Sequence, residues 1–246
     1  LELEEVKSHG WLRGLVNTLR RQDALVLPEV DTVPGLVGTL RPYQARGVAW
    51  IRFLVDHGFG ALLADDMGLG KTIQTIAWIL TARWGGASPA PSRGQGTDRA
   101  PWGGALIVAP LTLLSNWAHE FAKFAPSLKV YVHHGDQRHL ASGFRRAAME
   151  ADVVVTSYNL LVKDYSSVSE VAWSALVLDE AQTIKNPDTQ VAKAVRALTP
   201  PRRLALTGTP IENTVGDIWS IEEFLNPGFL GDRASFAEPF VRQIAA

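Results

Sequence analysis

The sequence predicts an α/β domain in which a parallel sheet carries helices on both faces. Short apolar runs recur along the chain at residues 61–64, 105–109, 130–132, 153–156, 175–178 and 204–206. The runs are rich in Val, Leu and Ala and lack the alternation of a half-exposed strand, which is typical of strands buried on both faces. Patterns with helical spacing lie between them, and strands that alternate with helices favour a parallel sheet.

Three helix signals accompany the first strands. Pro42 suits the first turn of a helix, because the N–H that proline lacks would have no partner there. A second helix is predicted from Lys71 onward, where apolar residues recur at helical spacing. Leu114, Trp117 and Phe121 form the apolar stripe of a third helix, and this stripe predicts that Trp117 lies in the core.

Two segments depart from this rhythm. In residues 1–35 we expect a short helix near residues 11–22, followed by a connector that contains Pro and Gly. Residues 85–104 are dense in Gly, Pro and Ser, so they predict a mobile surface insertion between a helix and a strand. Residues 36–246 would then form one domain with this insertion inside it.

The composition excludes several kinds of protein. Lys and Arg number 24 and Asp and Glu number 25, so no net field draws the 246-residue chain to nucleic acid. The absence of cysteine excludes a disulfide scaffold, a thiolate nucleophile and a Cys-type zinc site. No apolar run reaches about 18 residues, so no transmembrane helix is expected. Because the chain begins with Leu1 and ends at Ala246 within a helical pattern, we expect a piece of a longer protein.

The segment DDMGLGKT at residues 65–72 has the context of a phosphate-binding loop, between a strand and a helix. Gly68 and Gly70 allow the backbone to curl with its N–H groups inward, and the helix start adds positive potential. Lys71 can reach the phosphates, and the Thr72 hydroxyl can ligate Mg²⁺. The first glycine of the general pattern is replaced by an aspartate, so a glycine-rich helix start is the alternative interpretation.

An acid pair, Asp179 and Glu180, directly follows a predicted buried strand. Buried acids cost free energy unless a cation or a reaction requires them. Asp179 can hold Mg²⁺, and Glu180 can orient and deprotonate an attacking water. The pair could instead occupy the first turn of a helix. Its expected position at the same sheet edge as Lys71 and Thr72 favours catalysis, because ligands of open α/β sheets bind there.

Six segments carry a family resemblance, in the order LRPYQARGVAWI, ADDMGLGKTIQTI, LIVAPLTLLSNWAHEF, VVVTSYNLL, LVLDEAQTIKN and LALTGTPIENTVGDIWSI. They resemble the successive motifs of the first RecA-like lobe of superfamily-two helicases. More narrowly, they resemble the Swi/Snf-type double-stranded DNA translocases, which include chromatin remodellers and bacterial relatives. The resemblance implies a RecA-like fold, ATP and Mg²⁺ as cofactors, and DNA-dependent ATP hydrolysis.

The resemblance also implies a role for each motif. Gln44 would read the adenine edge, and Gln182 would lie at the nucleotide site. The phosphates and Mg²⁺ would be held by Asp65, Asp66, Met67, Gly68, Leu69, Gly70, Lys71 and Thr72. Lys71, Asp179 and Glu180 would be catalytic, with Asp179 and Thr72 on the metal. Nucleotide state would be coupled to DNA grip by Thr207, Gly208 and Thr209. DNA would lie along Pro110, Leu111, Thr112, Asn116, Trp117, Thr156, Ser157 and Tyr158.

Some of these residues have plainer interpretations. Gln44 could be a surface residue in a first helical turn, and Thr207 and Thr209 could be turn and cap residues. Many family members have His at position 182, so Gln182 could alter the link between the acid pair and the next motif. His133 and His134 would face opposite ways on a strand, so we do not expect them to share a metal.

Three hypotheses for the function of the protein follow from the motifs. The first is a translocase on double-stranded DNA, whose partners would be DNA, a second RecA-like lobe missing from this sequence, and a DNA-bound cargo protein. The second is an RNA helicase of the same superfamily, and the third is an ATP-gated module that binds nucleic acid without moving. Without the second lobe and its arginines, we expect weak ATP binding and very slow hydrolysis. We expect a cytoplasmic protein, nucleoid-associated in a bacterium or nuclear in a eukaryote.

Overall fold

Six parallel strands form one sheet at the centre of the domain. The computed structural model describes residues 27, 30, 32–84, 104–209 and 215–236. The strands are β1 (Ala61–Leu63), β2 (Ala105–Ala109), β3 (Val130–His133), β4 (Val153–Ser157), β5 (Ala175–Asp179) and β6 (Arg203–Leu206). Their spatial order is β1-β6-β5-β2-β4-β3, and every neighbouring pair is parallel. Each predicted strand is confirmed, with its ends shifted by at most one residue.

Helices alternate with the strands along the chain. They are α1 (Pro42–Asp56), α2 (Lys71–Trp84), α3 (Leu114–Phe124), α4 (Ala141–Glu150), α5 (Tyr158–Lys163), α6 (Tyr165–Ser169), α7 (Gln190–Ala197) and α8 (Val215–Leu225). Two short 3₁₀ turns precede α3 and follow β5, at Leu111–Leu113 and Ala181–Ile184. The three helices predicted near Pro42, Lys71 and Leu114 are confirmed, and Pro42 occupies the first turn of α1.

The sheet is buried on both faces, which explains the missing alternation in the strand sequences. On β2, Ala105, Ile107 and Ala109 pack into a core with α1, α2 and α3. Leu106 and Val108 point the other way, into a second core built with the helices from α4 to α8. Because both cores are apolar, successive strand residues are all apolar although they face opposite sides.

The strand register aligns the carboxyl ends at one edge of the sheet. Asp179 at the end of β5 pairs with Leu206 at the end of β6, which in turn pairs with Leu63 at the end of β1. Ala109 at the end of β2 pairs with Ser157 at the end of β4. The segments that follow these five strands therefore open on the same edge, where open α/β sheets bind ligands.

Parts of the predicted organisation lie outside the described residues. These are the helix near residues 11–22 and, apart from its last residue, the insertion at residues 85–104. The described positions between residues 27 and 40 carry neither helix nor strand. Among the described helices, none combines the length and the apolar character that crossing a membrane requires.

Candidate nucleotide site and nucleic-acid surface

The loop between β1 and α2 is curled by two glycines in the left-handed region. Gly68 has φ of +83° and Gly70 has φ of +81°, and residues other than glycine rarely adopt these backbone angles. A Cβ on Gly70 would also lie 2.5 Å from the Gln44 amide nitrogen. The curl places the Lys71 ammonium within the loop, where Nζ donates to the carbonyls of Asp65 at 2.7 Å and Asp66 at 3.2 Å. The loop thus holds a positive charge on carbonyl oxygens that phosphates could replace.

Gln44 connects α1 to this loop. Its side chain is buried, so the interpretation as a surface residue is wrong. Its Oε1 accepts from the backbone N–H of Arg41 at 2.9 Å, which closes the start of α1. Its Nε2 donates to the carbonyl of Leu69 at 3.1 Å, and the Tyr43 hydroxyl donates to the same oxygen. Adenine recognition by Gln44 stays a prediction.

Gln74 is the site residue that the sequence analysis missed. It is fully buried on α2, and its Nε2 donates to Asp65 Oδ2 at 2.8 Å. A Cβ on Gly47 would lie 1.9 Å from its Oε1, so the amide could keep this position only with glycine at residue 47. The bond explains the departure from the general loop pattern, since the carboxylate of Asp65 is tied to α2. The signal in the sequence that could have identified Gln74 is an amide side chain between Ile73 and Ile76, two residues of the predicted apolar stripe.

Asp179 ends β5 and receives hydrogen bonds from three directions. The Trp117 indole N–H donates to Oδ2 at 2.8 Å, and the Glu180 backbone N–H donates to Oδ1 at 3.0 Å. The Tyr158 hydroxyl donates to its backbone carbonyl at 2.7 Å. Burial raises the pKa of Asp179, and the hydrogen bond from Trp117 opposes that shift. The charge of Lys71 also lowers the pKa of Asp179, and the metal role of Asp179 stays a prediction.

Glu180 adopts a left-handed backbone conformation, with φ of 52° and ψ of 57°. For a residue other than glycine this conformation costs roughly 1–2 kcal/mol. It forms the sharp corner between β5 and the following 3₁₀ turn, and it aims the side chain toward Gln182. Gln182 Nε2 donates to Glu180 Oε2 at 2.8 Å. Backbone strain of this kind is concentrated at functional sites, and here it lies at the predicted catalytic acid.

Gln182 extends this contact to the turn after β6. Its Oε1 accepts from the Thr207 hydroxyl at 2.7 Å, and that hydroxyl accepts from the Thr209 backbone N–H at 3.0 Å. Thr207 is therefore both a turn-capping residue and a link to the acid pair. One end of the amide donates and the other accepts, a combination that a neutral imidazole can also offer. Gln182 in place of His thus leaves the link intact, while its role in coupling stays a prediction.

The turn after β6 also lies against the phosphate loop. A Cβ on Gly208 would approach Met67 Cγ to 3.3 Å and Lys71 Nζ to 4.0 Å. The side chain of Met67 is 80% exposed, so the loop presents an apolar side chain to the opening of the site. The structure brings the phosphate loop, the acid pair and the Thr207–Thr209 turn together at the carboxyl edge of the sheet.

The eight residues predicted along DNA divide into two groups. Leu111, Thr112 and Asn116 are exposed, and Pro110 is half-buried. Four have buried side chains: Trp117, Thr156, Ser157 and Tyr158. Their place along DNA stays a prediction, while the core position that the helical stripe predicted for Trp117 is confirmed.

The buried members have defined partners. The Thr156 hydroxyl donates to the carbonyl of His133, and Ser157 Oγ accepts from the backbone N–H of Leu160 at the start of α5. Tyr158 and Trp117 both donate to Asp179. Helical spacing separated Trp117 from its exposed neighbours, but the family motif gave no such signal for Thr156, Ser157 and Tyr158.

His133 belongs to a buried polar cluster at the edge of the sheet. Its Nε2 contacts Asp164 Oδ2 at 2.9 Å, and its Nδ1 contacts the Tyr131 hydroxyl at 3.2 Å. Arg138 binds the same carboxylate with two hydrogen bonds, of 2.6 and 3.1 Å. Burial lowers the pKa of His133, and the hydrogen bond from Arg138 lowers the pKa of Asp164. The cluster joins the loop after β3 to the end of α5.

Comparison with known families is consistent with this geometry. The sequence pattern of the SNF2-related domain matches residues 43–246, most of the chain. The chain belongs to the SNF2-related domain family. The resemblance that the six motifs indicated is thereby confirmed, and so is the placement of the chain in the first lobe of such an ATPase core.

Solved structures of this family share the fold. The SWI2/SNF2 ATPase core of Sulfolobus solfataricus, solved in complex with double-stranded DNA, superposes with a TM-score of 0.73 at 42% identity. The match covers 87% of this chain and 41% of that one. A structure of the SWI2/SNF2 ATPase core domain of the same organism gives a TM-score of 0.71. The predicted RecA-like parallel sheet with helices on both faces is confirmed.

Curated relatives are much longer than this chain. YwqA of Bacillus subtilis, whose name describes an ATP-dependent helicase/translocase, is 42% identical over 233 residues, which are 95% of this chain and 24% of the relative. The TATA-binding protein-associated factor mot1 of Schizosaccharomyces pombe is 41% identical over 207 residues, 84% of this chain and 10% of the relative. The chain therefore spans a quarter or less of the length of these two relatives.

Proposed function

We propose that this chain is the ATP-binding lobe of an ATP-dependent translocase on double-stranded DNA. The observation that carries the proposal is the joining of Glu180 to Thr207 through Gln182, beside the lysine of the phosphate loop. This link joins the predicted catalytic acid to the turn that the family resemblance assigns to coupling with DNA. Membership in the SNF2-related family and the DNA-bound structure of a relative support the same conclusion.

The residues of the site fit ATP with Mg²⁺. Thr72 and Asp179 offer hard oxygen ligands of the kind that Mg²⁺ prefers, and they would hold the ion. The ion would neutralise negative charge on the phosphates when it is bound. Lys71 would exchange the carbonyls of Asp65 and Asp66 for phosphate oxygens. The loop N–H groups and the start of α2 would add positive potential around the phosphates.

Hydrolysis requires a water molecule to be aligned and deprotonated. In the proposed reaction, water oxygen attacks the terminal phosphorus, the bond from that phosphorus to the ADP oxygen breaks, and Glu180 accepts a proton from the water. Gln182 orients Glu180 by its hydrogen bond to Oε2. The indole N–H of Trp117 fixes the carboxylate of Asp179 by its hydrogen bond to Oδ2. The chain thus prepares its acids before the nucleotide binds.

The DNA surface is proposed at the segment after β2. Leu111, Thr112 and Asn116 are exposed there. Polar side chains and backbone amides bind phosphates without reading bases, which suits a motor that moves along any sequence. The ATPase core of the Sulfolobus solfataricus relative was solved in complex with double-stranded DNA, which supports DNA rather than RNA as the track.

A second lobe of the same polypeptide is the proposed partner of this one. The matched part is 41% of the solved ATPase core, which leaves more than half of that chain for the rest of the motor. An arginine supplied across such an interface is worth about 10³–10⁵ in rate, so this lobe alone would hydrolyse ATP very slowly. By the same proposal, the protein acts in the compartment that holds DNA, on a cargo protein bound there.

Translocation is tested by displacement of a third DNA strand from a triplex by the full-length protein. We expect ATP-dependent displacement with the wild type and none with Glu180→Gln, which should still bind ATP. Displacement that proceeds equally with Glu180→Gln would favour a nucleotide-gated binding module. A complete absence of displacement by the wild type, on triplexes that a known translocase resolves, would remove the motor from the proposal.

A further inference from the structure

Two segments at the proposed DNA edge contact the same catalytic residue. The indole N–H of Trp117, in the first turn of α3, donates to Oδ2 of Asp179. The hydroxyl of Tyr158, at the start of α5, donates to the backbone carbonyl of Asp179. The strands that lead into these helices, β2 and β4, are neighbours in the sheet, and β2 also pairs with β5. Asp179 is therefore held by both segments.

Neither contact can relax independently of its helix. Trp117 is 1% exposed, Tyr158 is 5% exposed and Asp179 is 8% exposed. The Trp117 ring also packs against Phe121 one turn along α3, with 5.9 Å between ring centroids. In an interior packed as densely as a protein core, a shift of a helix is passed to the side chains that it buries.

Exposed residues lie directly beside these buried donors. Asn116 is exposed and precedes Trp117 in α3, while Leu111 and Thr112 are exposed in the 3₁₀ turn that leads into the helix. A ligand that fixes this turn also fixes α3, and with it the position of the indole nitrogen. The indole N–H in turn sets the orientation of the Asp179 carboxylate, whose other oxygen is held by the Glu180 backbone.

We propose that Trp117 is a positioning residue that transmits DNA binding at the segment after β2 to the carboxylate of Asp179, with Tyr158 as a second link. This inference rests on the proposed function. Trp117 touches neither the nucleotide nor DNA in this account, and it acts through Asp179. Because coupling between two sites is reciprocal, DNA would change nucleotide affinity and nucleotide would change DNA affinity by the same factor.

The test measures this coupling factor in the full-length protein. The affinity for a fluorescent ADP analogue with Mg²⁺ is measured by titration with and without a saturating DNA duplex. Trp117→Phe keeps an aromatic ring in the core and removes the indole N–H together with the five-membered ring that carries it. We expect DNA to change the ADP affinity by about fivefold or more in the wild type and by less than about twofold in Trp117→Phe. DNA affinity without nucleotide is measured alongside, so that a loss of DNA binding is distinguished from a loss of coupling.

Trp173→Phe is the matched control. Trp173 is also buried, and its indole N–H donates to the carbonyl of Val168 at 2.9 Å, away from Asp179. The same chemical change at this position should leave the coupling factor at its wild-type value. Thermal unfolding of each variant measures the structural cost of the substitution. Should Trp117→Phe fail to fold, Tyr158→Phe decides, because it removes the second hydrogen bond and keeps the ring.

The outcomes separate this inference from the proposed function. A wild type whose ADP affinity responds to DNA, with Trp117→Phe and Tyr158→Phe responding equally, overturns the positioning role alone. Equal loss of coupling in Trp173→Phe also overturns it, since any damage to the core would then suffice. A wild type whose nucleotide affinity and hydrolysis ignore DNA overturns the proposed function and this inference together.

Discussion

Gln74 donates a hydrogen bond of 2.8 Å to Asp65, across the base of the phosphate loop. Asp65 is the residue that departs from the general loop pattern, and Gln74 is a fully buried amide on α2. The buried amide nitrogen gives the carboxylate a partner, while Oε1 of the same amide has no hydrogen-bond partner among the described residues. The bond holds the backbone carbonyl of Asp65 where it meets the ammonium of Lys71.

Loss of this bond should weaken nucleotide binding. Gln74→Leu leaves Asp65 without its donor, and a hydrogen bond to a charged group is worth about 1.5 kcal/mol or more, so we expect roughly tenfold weaker ADP binding. Asp65→Asn keeps an oxygen acceptor and should retain most of the affinity. Isothermal titration with ADP and Mg²⁺ measures the difference. Wild-type affinity in Gln74→Leu would contradict a positioning role for Gln74.

Gly47→Ala should disturb the same bond from α1. The new Cβ would lie 1.9 Å from Gln74 Oε1, so the amide must move away from Asp65. Gly143 in α4 offers the matched control, because a Cβ there would lie 3.5 Å from the Cβ of His139, an ordinary contact distance. Glycine to alanine within a helix normally stabilises by roughly 0.5–1 kcal/mol, which we expect at Gly143 only. Urea unfolding of both variants, with ADP binding alongside, checks the contrast.

The bridge formed by Gln182 should control turnover more than binding. Gln182→Leu frees both Glu180 and Thr207, and loss of an oriented base is expected to lower kcat by about tenfold or more, with KM for ATP little changed. Gln182→His can restore a donor and an acceptor, and should recover most of the rate. Steady-state hydrolysis with DNA measures all three proteins. Equal kcat in the wild type and Gln182→Leu would separate Gln182 from the catalytic acid.

Thr207→Val tests the far end of the same bridge. It removes the hydroxyl that donates to Gln182 while keeping a branched side chain of similar size. Residues of one hydrogen-bond network are non-additive, so Thr207→Val should have little further effect in a Gln182→Leu background. Additive losses in the double variant would mean that the two residues act separately.

The strained backbone of Glu180 predicts a trade between stability and activity. Its φ of 52° costs alanine but not glycine, so Glu180→Gly should be more stable than Glu180→Ala by about 1 kcal/mol. Both variants should lose hydrolysis, because neither keeps a carboxylate to take a proton from water. Chemical denaturation of the two proteins gives the difference in unfolding free energy. Equal stability would mean that the corner relaxes when the side chain is removed.

The cluster around His133 predicts a pH-dependent stability. Burial lowers the pKa of His133 in the folded state, so the unfolded chain binds its proton more readily. Stability should therefore be complete above about pH 6.5 and fall as the pH drops from there toward the lower folded pKa. Asp164, whose pKa is lowered by Arg138, loses its contribution only at much lower pH. Both groups thus destabilise the protein on acidification, in separate windows.

Substitution at the cluster isolates the histidine contribution. His133→Gln cannot titrate, so its stability should change less than that of the wild type between about pH 7 and pH 5. His134→Gln makes the same substitution at the exposed neighbouring position and should follow the wild type. Urea unfolding at several pH values gives the slopes. Parallel curves for His133→Gln and the wild type would remove His133 from the pH response.

Local signals in the sequence predicted most of the fold, and long-range contacts explain what they missed. Continuous apolar runs predict buried strands such as β2, and closely spaced glycines before Lys71 predict the phosphate loop. The bond from Trp117 to Asp179 joins residues 62 positions apart, and that from Arg138 to Asp164 joins residues 26 apart. No periodicity records such pairs, so they became visible only in the folded chain.

Helical periodicity and family resemblance disagreed about Trp117. The stripe with Leu114 and Phe121 predicted a buried residue, while the motif predicted a contact with DNA. The structure buries it, because a motif describes a segment and not the direction of each side chain. Gln74 lies within the motif ADDMGLGKTIQTI, but the motif gave it no role. Its role depends on the facing residues Asp65 and Gly47.

Whether this lobe belongs to a motor on double-stranded DNA is decided by ATP hydrolysis of the full-length protein with no nucleic acid, double-stranded DNA, single-stranded DNA or structured RNA, at one salt concentration. We expect strong stimulation by double-stranded DNA and abolition of that activity by Lys71→Ala. Stimulation by RNA instead, or the same rate with and without every nucleic acid, would contradict a motor on double-stranded DNA.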